Sequence, residues 1–148
     1  MKIVKIVLNK KRNMYLDREF LKKNFNYTER LKYTVEHRKA FKKVERELLG
    51  KNTTRGHLHD VNKLLFYIMG IPTCVAHKMH QLISKHHVKN GKVKDPIAAI
   101  IDWECARHTK PDKQHNAFEF YKNTYPDGIP NVEETMKKLG LWLEEKAV

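Results

Sequence analysis

An imidazole and a carboxylate stand side by side at His59 and Asp60, within the segment HLHDVNK. Both side chains bind divalent cations, histidine through a ring nitrogen and aspartate through an oxygen. An ion takes about four to six ligands, so a site built on this pair needs further ligands from distant parts of the chain. The simpler alternative is that Asp60 caps a helix while His59 bonds to a backbone carbonyl.

Two residues far away in sequence are candidates for the missing ligands. His37 follows the same helical spacing as Phe41 and Val44, which places its imidazole on the apolar face of a long helix. Asp102 lies among small and apolar residues, where a carboxylate is costly unless a cation or strong donors compensate it. The alternatives are a hydrogen-bonded core histidine and a buried aspartate paired with Arg or Lys.

Histidine is concentrated in one part of the chain, because eight of the nine lie between His57 and His115. His80 and His87 are seven residues apart, which predicts one helix face for both, and His86 is adjacent. We take His80, His86 and His87 as further candidate metal ligands. A solvated histidine-rich helix is the alternative.

The elements that must position these residues are predicted to be helices. Asp17 and Gly50 mark helix boundaries, Asp95-Pro96 is a cap followed by proline, and Asn131 with Glu134 forms a capping-box pattern. The fold class is therefore all-α, a compact bundle of about five to seven helices, with a short strand or arm at residues 2–8. The predicted helices cover residues 18–24, 28–50, 57–69, 73–89, 96–107, 114–124 and 131–146.

A chain of 148 residues fits one domain. We divide it into a basic N-terminal arm with a short helix (1–27), a metal-site core (28–108) and C-terminal helices (109–148).

The order His37, His59-Asp60, Asp102 resembles the H…HD…D signature of the HD-domain metal-dependent phosphohydrolases, and WECARHTKPDK is similar to short HD-like proteins of bacteria and phages. The resemblance covers roughly residues 28–108. It implies an HD-like helical bundle in which each signature residue lies on its own helix. Lys63 extends the match to HDxxK, a variant of the two-metal branch. Members of that branch also place histidines between the HD pair and the final Asp, so the resemblance implies that His80 and either His86 or His87 are candidate ligands of a second metal ion. The chain departs from that branch in its short spacings after Asp60 and in Tyr33, which stands where an acidic ligand is expected.

The resemblance implies hydrolysis of a nucleotide or related phosphoester by metal-activated water. His37, His59, Asp60 and Asp102 would hold a divalent ion, with Mn, Fe, Co, Ni, Zn and Mg not distinguished. Asp60 and Lys63 are the catalytic candidates. The candidate phosphate-binding residues are basic, namely Lys63, Arg107, Lys110 and Lys113.

The charge distribution supports a second hypothesis. Residues 1–51 hold 16 Lys and Arg against 6 Asp and Glu, whereas the remaining residues hold 14 against 11. A cationic N-terminal third attracts phosphate-bearing partners, so the alternative function is non-enzymatic nucleic-acid binding.

Composition excludes several classes. No apolar run is long enough to span a membrane, and the N-terminus lacks the features of a secretory signal. Two cysteines do not make a disulfide framework, so a reducing cytoplasm is expected, the host's if a phage encodes the chain. Oligomeric state is not predicted.

Overall fold

The computed structural model describes residues 18–110 and 115–143. These residues form helices and no strand, which confirms the all-α prediction. The strand or arm expected at residues 2–8 lies outside the described residues. In chain order the helices are α1 (Arg18–Phe25), α2 (Tyr27–Leu49), α3 (Thr54–Leu58), α4 (Val61–Ile68), α5 (Thr73–Ile83), α6 (Pro96–Thr109), α7 (Ala117–Thr124) and α8 (Pro130–Lys138).

Helices α2 and α6 form the centre of the bundle and pack against each other. Phe41 and Val44 of α2 meet Ala98, Ile101 and Cys105 of α6 in one buried cluster. The predicted start of α6 is confirmed, since the Asp95 side chain accepts a hydrogen bond from the Ala98 amide. The small residues of α6 let α2 approach closely, which brings His37 and Asp102 together.

The C-terminal helices build a second cluster against the other side of α6. Trp103, Tyr121, Val132 and Met136 are buried there, and Trp142 packs against them. Asn116 and Glu119 form a reciprocal capping box, so α7 begins at Ala117. The predicted box at Asn131 is wrong, because Pro130 already occupies the first helical position of α8.

Three predicted helix spans differ from the structure, those over residues 57–69, 73–89 and 131–146. The helix expected over residues 57–69 is broken between α3 and α4, and α3 begins inside the expected loop. The helix expected over 73–89 ends at Ile83, and an isolated bridge between Lys89 and Lys92 closes the following turn. Helix α8 ends at Lys138, before a turn with left-handed Gly140. Within the described residues, none of the helices has the length and apolar character needed to cross a bilayer.

Candidate metal centre

The break between α3 and α4 turns both His59 and Asp60 into the protein. Asp60 has a left-handed backbone, with φ at 55°, a conformation that aspartate tolerates better than most residues. In a continuous helix adjacent side chains point about 100° apart, whereas here both are nearly fully buried. The irregular backbone is therefore what lets two neighbouring residues serve one site.

Arg38 holds this break in place. Its Nε donates to the His59 carbonyl at 2.8 Å and its Nη2 donates to the His57 carbonyl at 2.7 Å. These carbonyls belong to the last turn of α3 and to its C-cap His59, where backbone acceptors lack helical partners. The His59 ring in turn stacks on Phe41, with 3.8 Å between ring centroids. Arg38 was missed in the sequence, since nothing distinguishes it from the other basic residues of α2.

The first ligand group consists of His37 on α2, His59 and Asp102 on α6. Asp102 Oδ1 lies 2.7 Å from His37 Nε2 and 3.2 Å from His59 Nε2, and the two nitrogens are 3.2 Å apart. Three ligand atoms from three separate elements thus converge on one point, a geometry suited to one cation. The predicted convergence of these residues is present in the structure.

Asp60 extends the cluster toward the histidines of α5 and the following turn. Its Oδ1 lies 3.2 Å from His80 Nε2, 3.7 Å from His59 Nε2 and 3.9 Å from His86 Nε2. His59, Asp60 and His86 form a second group of ligand atoms, and His80, His86 and His87 form a third. The structure therefore brings all three of the further candidate ligands, His80, His86 and His87, into the cluster of ligand atoms.

The hydrogen bonds of Asn62 establish which nitrogen of His80 carries the proton. Asn62 Oδ1 accepts from the Lys63 amide at 2.9 Å, so this atom is the amide oxygen. His80 Nδ1 lies 2.8 Å from the same oxygen and must donate to it. His80 Nε2 is then a bare acceptor in the neutral ring, as required of a metal ligand.

This assignment leaves two acceptors facing each other. Among the described residues, Asp60 Oδ1, His80 Nε2 and His87 Nε2 are buried side-chain atoms without a hydrogen bond. Asp60 Oδ1 and His80 Nε2 nevertheless lie 3.2 Å apart, a repulsive arrangement unless a proton or a cation lies between them. The donor set of this centre thus fits a divalent cation.

Protonation does not relieve this contact near neutral pH. Burial, together with the nearby charge of Lys63, lowers the pKa of His80 to about 3, and burial lowers the pKa of His86 to about 4. Burial alone would raise the pKa of Asp60, but the charges of His59 and Lys63 outweigh it and lower this pKa to about 2. His80 and His86 are therefore neutral imidazoles and Asp60 is an ionised carboxylate near neutral pH, the forms in which these groups bind metals.

Lys63 occupies the second oxygen of Asp60. Its Nζ lies 2.7 Å from Asp60 Oδ2, and its side chain is only 17% exposed. Burial lowers the pKa of Lys63, but the adjacent Asp60 carboxylate more than compensates and raises it. Asp60 thus offers Oδ1 to the histidine cluster while Oδ2 holds a charged lysine.

A cavity of about 520 Å³ opens beside the cluster. His37, His80, His87 and Asp102 form part of its lining. Three basic side chains also line it, Lys63, Lys110 and Arg30, and only Arg30 was missed in the sequence. Aromatic residues complete the wall, namely Tyr33, Tyr67, Trp103, Phe120 and Tyr125.

One predicted phosphate-binding residue, Arg107, is not among the described residues that line this cavity. The Arg107 guanidinium lies 2.6 Å from Glu104, which also accepts from the Ala117 amide at the start of α7. Arg107 therefore joins α6 to α7 instead of facing the cluster. Lys113 lies outside the described residues.

No protein-family model, no curated protein and no solved structure matches this chain. Fold and site together define an all-α protein with clustered His and Asp side chains that could hold a metal ion. Its chemistry therefore has to be argued from the side chains themselves.

Proposed function

We propose that the protein is a metal-dependent phosphohydrolase that acts on a nucleotide or a related phosphoester. One observation supports this proposal most strongly: the ligand atoms of His37, His59, Asp60 and Asp102 are clustered. Within this cluster the buried acceptor atoms of Asp60 and His80 face each other, and a cavity lined by basic side chains lies beside them. A bound divalent ion would supply Lewis acidity and lower the pKa of a water molecule.

The protein's own residues would bind and orient the phosphoester. Lys63, Lys110 and Arg30 bring three cationic groups to one cavity whose lining includes four of the proposed metal ligands, His37, His80, His87 and Asp102. Arginine and lysine both bind phosphate, arginine through a planar fork and lysine as a point charge. The aromatic wall would stack on a planar group of the substrate and exclude water from it.

The arrangement of ligand atoms also favours room for a second ion. The first group uses His37, His59 and Asp102, whereas Asp60 and the histidines 80, 86 and 87 supply further ligand atoms. Asp60 Oδ1 lies 3.7 Å from His59 Nε2 and 3.2 Å from His80 Nε2, so Asp60 and the neighbouring histidines would hold a second ion. We expect up to two metal ions per chain.

The test combines metal analysis with turnover. The purified full chain is analysed for bound metal, and a nucleotide panel is screened for phosphate release with added Mn²⁺ or Co²⁺. We expect stoichiometric metal and release that is abolished by EDTA and by Asp102→Asn. Glu134→Gln is the matched control, because Glu134 pairs with Lys138 on the exposed face of α8.

Stoichiometric metal without turnover on any phosphoester would overturn the hydrolase proposal. The alternative function predicts nucleic-acid binding that survives EDTA and weakens steeply with salt. That result together with absent turnover would favour the nucleic-acid hypothesis.

A further inference from the structure

Large apolar side chains are exposed along α4 and α5, at Met69 directly after α4 and at Leu58, the last residue of α3. Each of these six side chains is more than half exposed, and we call them the α4–α5 face: Leu58, Leu65, Ile68, Met69, Leu82 and Ile83. Ile68 and Leu82 are 71% and 74% exposed. Isolated exposed apolar residues are ordinary, whereas a group of them marks an interaction surface.

The two helices bring these residues together. α4 packs against α5, and Asn62 at the start of α4 lies 3.3 Å from Ser84 at the end of α5. The helices are therefore antiparallel, which places Leu82 and Ile83 level with the first turns of α4. Tyr67 and His80 on the same helices are buried, so the opposite faces point outward.

The distribution of charged residues around the α4–α5 face indicates what kind of partner binds it. From Leu64 to His77 the chain has no Asp, Glu, Lys or Arg, although the whole protein carries a net charge of +13. Lys63, just before this stretch, pairs with Asp60. An acidic partner or an anionic membrane would be recognised by basic residues bordering the apolar ones, and the α4 half lacks that border. Lys78 and Lys89 lie beside Leu82 on the α5 half, so the uncharged α4 half is the part of the face that is complementary to a second copy of itself.

The area of the α4–α5 face is also close to the area that each subunit buries in a homodimer interface. Six side chains of this size and exposure present on the order of 600 Å² of apolar surface. A stable interface buries about 800 Å² on each partner, so a modest polar rim completes it. We propose that the α4–α5 face is the contact of a two-fold symmetric homodimer, in which α4 and α5 of both copies pack together.

This dimer leaves the candidate metal centre accessible. None of the six residues is among the described residues that line the cavity, whereas Lys63 and Tyr67 on another side of α4 do line it. The proposal therefore does not depend on the proposed function and is tested without measuring activity.

Sedimentation velocity of the full chain gives the decisive measurement. At tens of micromolar we expect a mass of about twice 17.6 kDa. Ile68→Glu and Leu82→Glu should each raise the dimer dissociation constant at least tenfold, because each places two charges in an apolar contact. Leu143→Glu is the matched control, since Leu143 is exposed but lies outside the face.

Circular dichroism and thermal melting verify that each variant folds, and these exposed positions should tolerate the change. A monomer at every concentration would overturn the proposal, as would a dimer that both face variants leave intact. A monomer that binds phosphatidylserine vesicles, and loses this binding through Ile68→Glu, would assign the face to a membrane surface instead.

Discussion

Replacing Asp60 by asparagine separates metal binding from folding. In the metal-free protein Asp60 Oδ1 faces His80 Nε2, and Oδ2 faces Lys63 Nζ. An asparagine in the same position donates from its amide nitrogen to His80 and accepts from Lys63 with its oxygen. It also tolerates the left-handed backbone of residue 60. We therefore expect metal-free Asp60→Asn to lose only about 1 kcal/mol, for the weaker contact with Lys63.

Asp60→Ala provides the contrast. Alanine leaves the buried Lys63 ammonium without a partner, and breaking such a pair costs about 3 to 5 kcal/mol. The left-handed backbone at residue 60 destabilises the alanine variant by about a further 1 kcal/mol. At roughly 3 °C per kcal/mol for a chain of this size, Asp60→Ala should melt about 10 °C or more below the wild type.

The metal response should be lost in both variants. Mn²⁺ at 100 times its dissociation constant stabilises the wild type by about 2.7 kcal/mol, or roughly 8 °C. If removal of the carboxylate weakens binding about 100-fold, the same concentration adds only about 1 °C. Differential scanning calorimetry after dialysis against EDTA, with and without Mn²⁺, measures both effects. An unchanged Mn²⁺ shift in Asp60→Asn would refute Asp60 as a ligand.

Three further predictions concern the supports of the centre. Asn62→Ala removes the hydrogen bond that fixes the tautomer of His80. Calorimetric titration should show Mn²⁺ binding weakened about 10- to 100-fold, with little change in the melting temperature of the protein. Gly56→Ala should destabilise the fold by about 3 kcal/mol in urea unfolding, because the added Cβ overlaps Glu45 Oε2, which accepts from the backbone amide before α3. Gly50→Ala, which meets only backbone strain, should cost about 1 kcal/mol, and equal losses would contradict the overlap argument. The lowered pKa of His86, about 4 against 6.5 in the unfolded chain, means that the unfolded state binds the proton first. His80, whose pKa is lowered to about 3, acts in the same direction, so urea unfolding in EDTA should show stability falling by about 2 kcal/mol per pH unit between pH 6 and pH 4, and a flat profile would contradict this sign.

The sequence determined the identity of the candidate ligands, because residue type limits which side chains can bind a cation. The helical spacing between His37 and Phe41 predicted that the His37 side chain points into the protein. Asp102 was predicted to be a ligand because an unpaired carboxylate among small apolar residues is energetically costly. Both placements depend on helical periodicity, which is a local property and survives into the structure. The all-α class followed from the same periodicity.

Other features of the centre depend on contacts between distant segments. The helix break at Asp60 was not predicted, because it requires a left-handed backbone that Arg38 of another helix supports. Glu104 pairs with Arg107 three residues further along α6, which is a local contact, but its bond from the Ala117 amide depends on where α7 begins, which sequence spacing does not show.

By itself, then, the sequence determined that this chain is helical and that two imidazoles and two carboxylates on separate segments are its candidate ligands. Only the tertiary structure decided that His80 Nε2 and Asp60 Oδ1 face each other as bare acceptors. The physical reason is that a tautomer depends on a three-dimensional hydrogen bond, here to Asn62, whereas amphipathic spacing depends only on neighbours in the chain.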